Sequence, residues 1–289
     1  MISFSRREKN WMPYLLFLPV LIYLAGFVGY PLIKALGIAF TSEAGKLSFE
    51  NFITLTRDYT FWKALKNTLL FLIIIVPLQV ILAFLLALFV NSRFKGYMTV
   101  LYIISIPLAL SDVSAALMSY NIFTSHGFLN KFLMSLGIIE TPIYFFGLGL
   151  SSRSFWVIVL TELWRATPLV FVILLASLQM ISKDYFEAAD VFGFSSWQKF
   201  FYITLPLTMP SLQSALLIRT LFAFQIFSVV WLLSGRDIPI LAGEVYYQQA
   251  ELNNFRLAAT YGFIIALICI IISWVYITFL KAKHLELKK

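Results

Sequence analysis

The sequence predicts an all-α, polytopic membrane protein with six transmembrane helices, and three observations carry that prediction. Of 289 residues, 61% are hydrophobic and only 12% are charged, where a soluble domain carries about 25% charge. Six stretches supply the ~20 mostly apolar residues that a bilayer crossing needs; they lie near 11–40, 67–90, 98–123, 155–178, 212–233 and 257–280. No segment between them approaches the ~50 residues of an independently folded domain, so 1–289 reads as a single transmembrane domain.

The first stretch follows Arg6, Arg7 and Lys9 in the manner of a signal peptide. It outlasts a 7–15-residue signal core and has no clear small-residue cleavage site, so it is read as a retained span. Pro19 and Pro31 in that span, and Pro77, Pro107 and Pro168 in the next three, fit helices that bend around a cavity; prolines are tolerated in membranes where neighbours re-satisfy the freed backbone groups. Orientation follows from basic residues in alternate loops. Arg6, Arg7, Lys9, Arg93, Lys95, Lys183, Lys199, Lys281, Lys283, Lys288 and Lys289 fall on one side in few positions, and the sparser set on the other side includes Lys46, Lys131, Arg153 and Arg236. Both termini, and the segment 179–211 between spans four and five, are therefore expected in the cytoplasm.

The net charge of +8 gathers at span ends rather than in a stripe among aromatics, which favours anionic lipid headgroups over nucleic acid. Cys269 is the only cysteine, so neither an intramolecular disulfide nor a cysteine metal site is expected. His126 and His284 lie too far apart in sequence to suggest a metal cluster. Gly45-Lys46 is followed by Leu47, which is not the phosphate cradle of a P-loop. If ATP drives this protein, another chain binds it.

Ionisable residues inside spans are costly and often functional. Asp112 in span three, Glu162 and Arg165 in span four and Arg219 in span five are the candidates for a solute path, with Asn121 and Gln225 as polar companions. Simpler readings stand beside these: Glu162 and Arg165 are three apart on one helix and can pair with each other, and Arg219 can snorkel to an interface. Tyr120, Asn121, Gln225 and Trp231 have the aromatic faces and neutral hydrogen-bonding groups that suit a sugar. Aromatics near span ends also serve as interfacial anchors.

The segment "YFEAADVFGFSSWQKFFYITLPL", from Tyr185 to Leu207, interrupts the apolar chain. Ser182 is placed to cap a helix running to about Phe192, with Asp184 in its first turn facing the helix dipole. Ala188 and Ala189 let another surface approach closely, and Gly193 suits a left-handed helix end. Ser195 or Ser196 can start a second helix with Trp197, Phe200 and Phe201 on one face. Pro206 then marks the turn into span five. The product is a short helix-turn-helix, aromatic on one side, with Glu187 offered on the other. Physical reasoning alone leaves two readings open: an interfacial anchor, or a docking surface.

The segment resembles the EAA loop of binding-protein-dependent ABC transporter permeases. Glu187-Ala188-Ala189, three residues, Gly193, nine residues and Ile203-Thr204-Leu205-Pro206 fill every fixed position of that pattern. "FWKALKNTLLF", "LWRATPLVFVILLASLQ" and "SLQMISKDYFEAA" are similar to the carbohydrate-uptake, maltose-type branch. Phe192 and Phe194 depart from the Asp and Ala that usually flank the glycine there, and "SGRDIPI" replaces a Gly-Gly-Pro turn after span five. The resemblance implies a type I ABC importer permease fold in a prokaryotic plasma membrane. It implies a non-catalytic subunit with no cofactor of its own, ATP and Mg being bound by cytoplasmic ABC ATPase subunits. A second permease, of a different chain, and an extracytoplasmic solute-binding protein complete the implied assembly. Glu187, Ala188, Ala189, Asp190, Phe192, Gly193 and Pro206 would contact or shape the ATPase-facing surface.

Three alternatives are weighed against this expectation. A permease for a non-sugar solute would share every feature above. A self-sufficient secondary transporter would show internal repeats with matching broken spans, and none is visible. An intramembrane enzyme would need a metal cluster or a nucleophile–base pair within the spans, and none is apparent in the sequence.

Overall fold

The computed structural model describes residues 12–279, and every regular element within them is helical. The basic residues at 6–9 and 281–289, used above for orientation, lie outside the described residues, as do Trp11 and Leu280 at the ends of the predicted first and sixth spans. Five helices are long and apolar enough to cross a membrane: Tyr14–Ala39, Tyr59–Asn91, Ser151–Gln179, Ser196–Phe224 and Phe255–Thr278. A bent pair, Tyr97–Ala109 with Asp112–Ser135, makes a sixth crossing if the two halves are one span. These are numbered spans one to six in chain order, the bent pair being span three.

Spans two and four form the central contact. Ala83 and Ala87 of span two, one turn apart and fully buried, sit with Val170, Phe171 and Leu174 of span four. Small side chains at this spacing let two helices approach closely, the main source of helix association in lipid. Farther along, Phe71, Ile75 and Val76 share a cluster with Val157, Ile158 and Phe224. Span one is exposed along almost all of its length and buries only Ala39. Its second half, Tyr30–Ala39, lies along span six, where Leu32, Ala35 and Leu36 face Ala259, Gly262 and Phe263; the remaining apolar surface is stable where its solvent is lipid.

Several predicted boundaries move. Span two starts at Tyr59 rather than 67, because the Asp58 side chain accepts a hydrogen bond from the Thr60 N–H at 2.8 Å and caps the helix early. Span four starts at Ser151 rather than 155. Span three, expected as one proline-bent helix over 98–123, is broken outright: its halves meet at 104°. Pro107 lies in a 3₁₀ turn, Ile106–Ala109, and Ser111 then caps a new helix by accepting from the Ser114 N–H at 3.1 Å. Span five stops at Phe224, well short of the predicted 233, and a separate helix, Ser228–Ser234, follows. Phe224, Ile226, Val229 and Val230 all enter one core cluster. At 3.6 residues per turn a straight helix would point Phe224 away from the other three.

Pro206 does not mark a turn. Helix Ser196–Phe224 runs through it without a break, by way of a π-helical stretch, Phe200–Thr204. Proline removes one donor and crowds the carbonyl four residues back. The wider turn preceding it, in which the Leu205 N–H reaches the Phe200 carbonyl, shifts the ladder to accommodate that loss.

Candidate functional site: an exposed hairpin and a buried charge network

Two polar features stand out against the apolar chain. The first is the hairpin between spans four and five. Helix Lys183–Val191 begins with the Ser182 hydroxyl accepting from the Asp184 N–H at 3.3 Å. It ends with Gly193 at φ +73° and the Phe194 N–H bonded to the Ala189 carbonyl at 2.9 Å. That is the left-handed closure a glycine permits without steric cost. Ser195 and Gln198 then exchange capping hydrogen bonds, which fixes the start of the next helix at once. Lys199 pairs with Asp190 across the turn and ties the two helices together.

Glu187 and Ala188 are exposed on the first helix, whereas Ala189 is buried against the protein. Val191 and Phe192 are exposed at the tip, at 86% and 80%. The aromatic face expected to pack on membrane helices does so only in part. Phe200 sits edge-on to Phe84 of span two, but Trp197 and Phe201 stack on each other and remain exposed. At 3.6 residues per turn 197 and 201 lie nearly above one another while 200 is turned about 100° from 201, so it alone reaches inward.

The second feature lies inside the helix bundle. Arg165 donates to Asp112 at 2.6 Å and to both carboxylate oxygens of Glu162 at 3.0–3.1 Å. Glu162 also accepts from Arg219 at 2.9 Å, and both those side chains are 1% exposed. Gln79 completes the set by donating to the Glu162 carbonyl at 2.7 Å and accepting from the Arg219 Nε–H. The network joins spans two, four and five to the second half of span three. Its two carboxylates and two guanidinium groups balance, so the network carries no net charge. Asp112, Arg165, Arg219 and Gln225 line one cavity of about 290 Å³ with Pro107 and Leu110 among its walls.

Glu162 and Arg165 do pair as neighbours on one helix, but each also holds a residue from another span. Arg219 does not snorkel, being buried at the centre. The remaining candidates fall elsewhere. Tyr120 stacks on Phe146, the Asn121 amide turns back to its own helix at Leu117, and Trp231 packs with Phe227 and Tyr246; none of the three is among the residues walling that cavity. Gln79 is not among the residues singled out from the sequence, although a lone glutamine two residues after Pro77 in an apolar run is a signal of the same kind as a buried charge.

The loop "SGRDIPI" is built against span two. Asn67 donates to the Pro239 carbonyl at 2.8 Å and the Leu241 N–H donates to Thr68 at 3.0 Å. Arg236 pairs with the buried Glu244 at 3.1 Å while its guanidinium lies 3.5 Å from the Tyr247 ring centre. Burial pushes the Glu244 carboxyl above its ordinary range, against the opposing pull of Arg236.

Comparison with known proteins places these features in a family. The profile of the family described as binding-protein-dependent transport system inner membrane component matches residues 79–284. The trehalose/maltose transport system permease protein MalF of Thermococcus litoralis is 32% identical over 231 residues, 77% of this chain and 76% of that protein. The lactose transport system permease protein LacF of Rhizobium radiobacter is 28% identical and covers 89% of each. In structure, a chain of a bacterial ABC transporter involved in the import of the acidic polysaccharide alginate superposes with a TM-score of 0.81 at 22% identity, over 96% of this chain and 97% of that one.

Proposed function

The chain belongs to the family of binding-protein-dependent transport system inner membrane components, and from that premise we propose that it forms half of the translocation path of an ATP-driven sugar importer. It is a multi-pass membrane subunit. The observation that carries the mechanism is the hairpin: the filled EAA spacing lies on an exposed, capped and internally paired helix-turn-helix with Glu187 at its open surface.

In this reading the hairpin lies in the cytoplasm and docks on an ABC ATPase subunit, which binds ATP and Mg; this chain needs no cofactor of its own. Glu187 meets a basic residue of the ATPase, Ala188 lets that surface approach, and Gly193 sets the angle of the turn. Phe192 adds an apolar contact beside the glycine, where the maltose-type branch usually carries an Asp. Closure of two ATPase subunits around ATP moves the hairpins of two permease chains together, and the spans follow as rigid bodies. The second permease is a different chain, and a solute-binding protein delivers the ligand from outside.

The solute is a sugar or oligosaccharide, by likeness to the trehalose/maltose and lactose permeases. The cavity suits it chemically. Guanidinium, carboxylate and amide groups offer both donors and acceptors to hydroxyl groups, without the net charge that would favour an ion. The assembly is tested by copurification: the chain should retain an ATPase subunit and hydrolyse no ATP alone. Glu187→Lys should leave insertion and folding intact and abolish uptake. Normal uptake by that variant would remove Glu187 from the coupling, and uptake by this chain reconstituted alone would overturn the whole reading.

A further inference from the structure

We infer that the Asp112–Arg165 pair is a latch: it holds the second half of span three against span four and opens, while the rest of the network stays closed, when the cavity opens. The inference rests on the reading of this chain as half of a transport path. Three observations support it.

The first is where the contact sits. Span three breaks between Ala109 and Asp112, so Asp112 is the leading residue of a helix joined to the first half only through Leu110 and Ser111. That helix is held from Ala115 onward, where Ala115 and Ala116 are fully buried and Thr161 of span four donates to Ser119 at 2.8 Å in a buried hydrogen bond. Between Ala115 and the break, Arg165 is the side chain of span four that grips the helix by charge. A swing about the Ser119 end moves Asp112 the most, and Asp112 walls the cavity together with Leu110 in the break.

The second is the unequal cost of opening each pair. Glu162 and Arg219 are 1% exposed, and separating them leaves a buried charge without a partner, which is strongly disfavoured. The Asp112 side chain is 47% exposed and that of Arg165 16%. When Asp112 leaves, its carboxylate passes to water in the cavity, a modest change for an exposed ion pair.

The third is the spare partner. Arg165 keeps Glu162 through hydrogen bonds from Nε and Nη2, a fork geometry that needs no help from Asp112. The network can thus shed Asp112 with both guanidinium groups still paired to Glu162, at the expense of one net positive charge beside the cavity. The other two ion pairs open less readily. One helix fixes the spacing of Glu162 and Arg165, and Arg219 parted from Glu162 would keep only the Gln79 amide.

The test uses the assembled transporter in lipid nanodiscs, with Cys269 replaced by serine and a reporter thiol placed by Leu110→Cys. A membrane-impermeant maleimide reads the labelling rate with and without ATP and binding protein. Asp112→Asn should accelerate labelling in the nucleotide-free state by about two- to fivefold, the range an exposed ion pair is worth. Asp112→Glu, which keeps the charge and reaches Arg165, should label at the rate seen with the native Asp112. Equal rates with Asp112 and with asparagine would overturn the latch. So would acceleration by both variants, which would make the contact one of shape rather than charge. A reporter that never responds to ATP and binding protein with Asp112 intact would instead overturn the transport reading itself.

Discussion

Two ion pairs, Asp190–Lys199 in the hairpin and Glu162–Arg219 in the bundle, use the same chemistry in opposite surroundings. The hairpin pair has its carboxylate 64% exposed, while both members of the bundle pair are 1% exposed. Water screens the first and would replace either partner at little cost. The second is almost wholly shielded from solvent, and Arg219 has no other carboxylate partner than Glu162. A salt bridge therefore says little about stability until its burial is known: the hairpin is held mainly by its caps and its glycine, whereas at the bundle centre removing one charge strands another.

The sharpest way to break this contrast is Glu162→Leu, which removes the acceptor shared by Arg165 and Arg219. A loss of about 3–5 kcal/mol is expected for breaking a buried pair, read as a large fall in the thermal midpoint of the purified protein in detergent. Gly193→Ala comes next. Its φ of +73° lies where a side chain costs about 1–2 kcal/mol, and the loss should appear as weaker retention of the ATPase with the spans still folded. Asp190→Asn should change the thermal midpoint least among charge changes, by no more than about 1 kcal/mol; a large effect would show that the pair is not screened.

Arg236–Glu244 lies between these extremes, with one partner 39% and the other 2% exposed. Burial raises the Glu244 carboxyl above its ordinary value, so the unfolded chain releases this proton at lower pH than the folded one. In the window that begins near the ordinary carboxyl value of about 4.3, the folded state binds the extra proton, and its stability falls as pH rises to the raised value. Glu244→Gln should flatten that part of a melting-point profile against pH. A slope of the opposite sign would show that Arg236 outweighs burial.

Much of this was legible in the sequence, and the residues show why. Periodicity is not needed to find a span, because bilayer thickness alone demands length and apolarity; each of the six predicted stretches falls on a long apolar helix or on the bent pair. Caps were readable in the hairpin because serine and glycine act locally, and Ser182, Gly193 and Ser195 each do what their chemistry dictates. The same cap code is present at Ser111–Asp112, where an apolar average over 98–123 concealed it. Breaks set by tertiary packing left less trace: Gln225–Phe227 contains neither glycine nor proline, and the chain bends there to serve one core cluster. Charge partners across helices were out of reach. That Glu162 and Arg165 would meet was legible from their spacing, whereas Gln79, Asp112 and Arg219 join them only through the fold.

The unbroken helix from Ser196 to Phe224 has a mechanical consequence. Lys199, clasped at the hairpin, and Arg219, at the cavity, are stations on one continuous helix about 30 Å apart at 1.5 Å per residue. A tilt of only about 5° about the hairpin end carries the Arg219 end sideways by roughly 2.6 Å over that length, close to the reach of a hydrogen bond. Had Pro206 made the turn that its sequence suggests, the same tilt would be absorbed at a joint. The helix instead continues through the π-helical stretch at Phe200–Thr204, so a small angular displacement at one membrane face is enough to make or break a hydrogen bond at the centre.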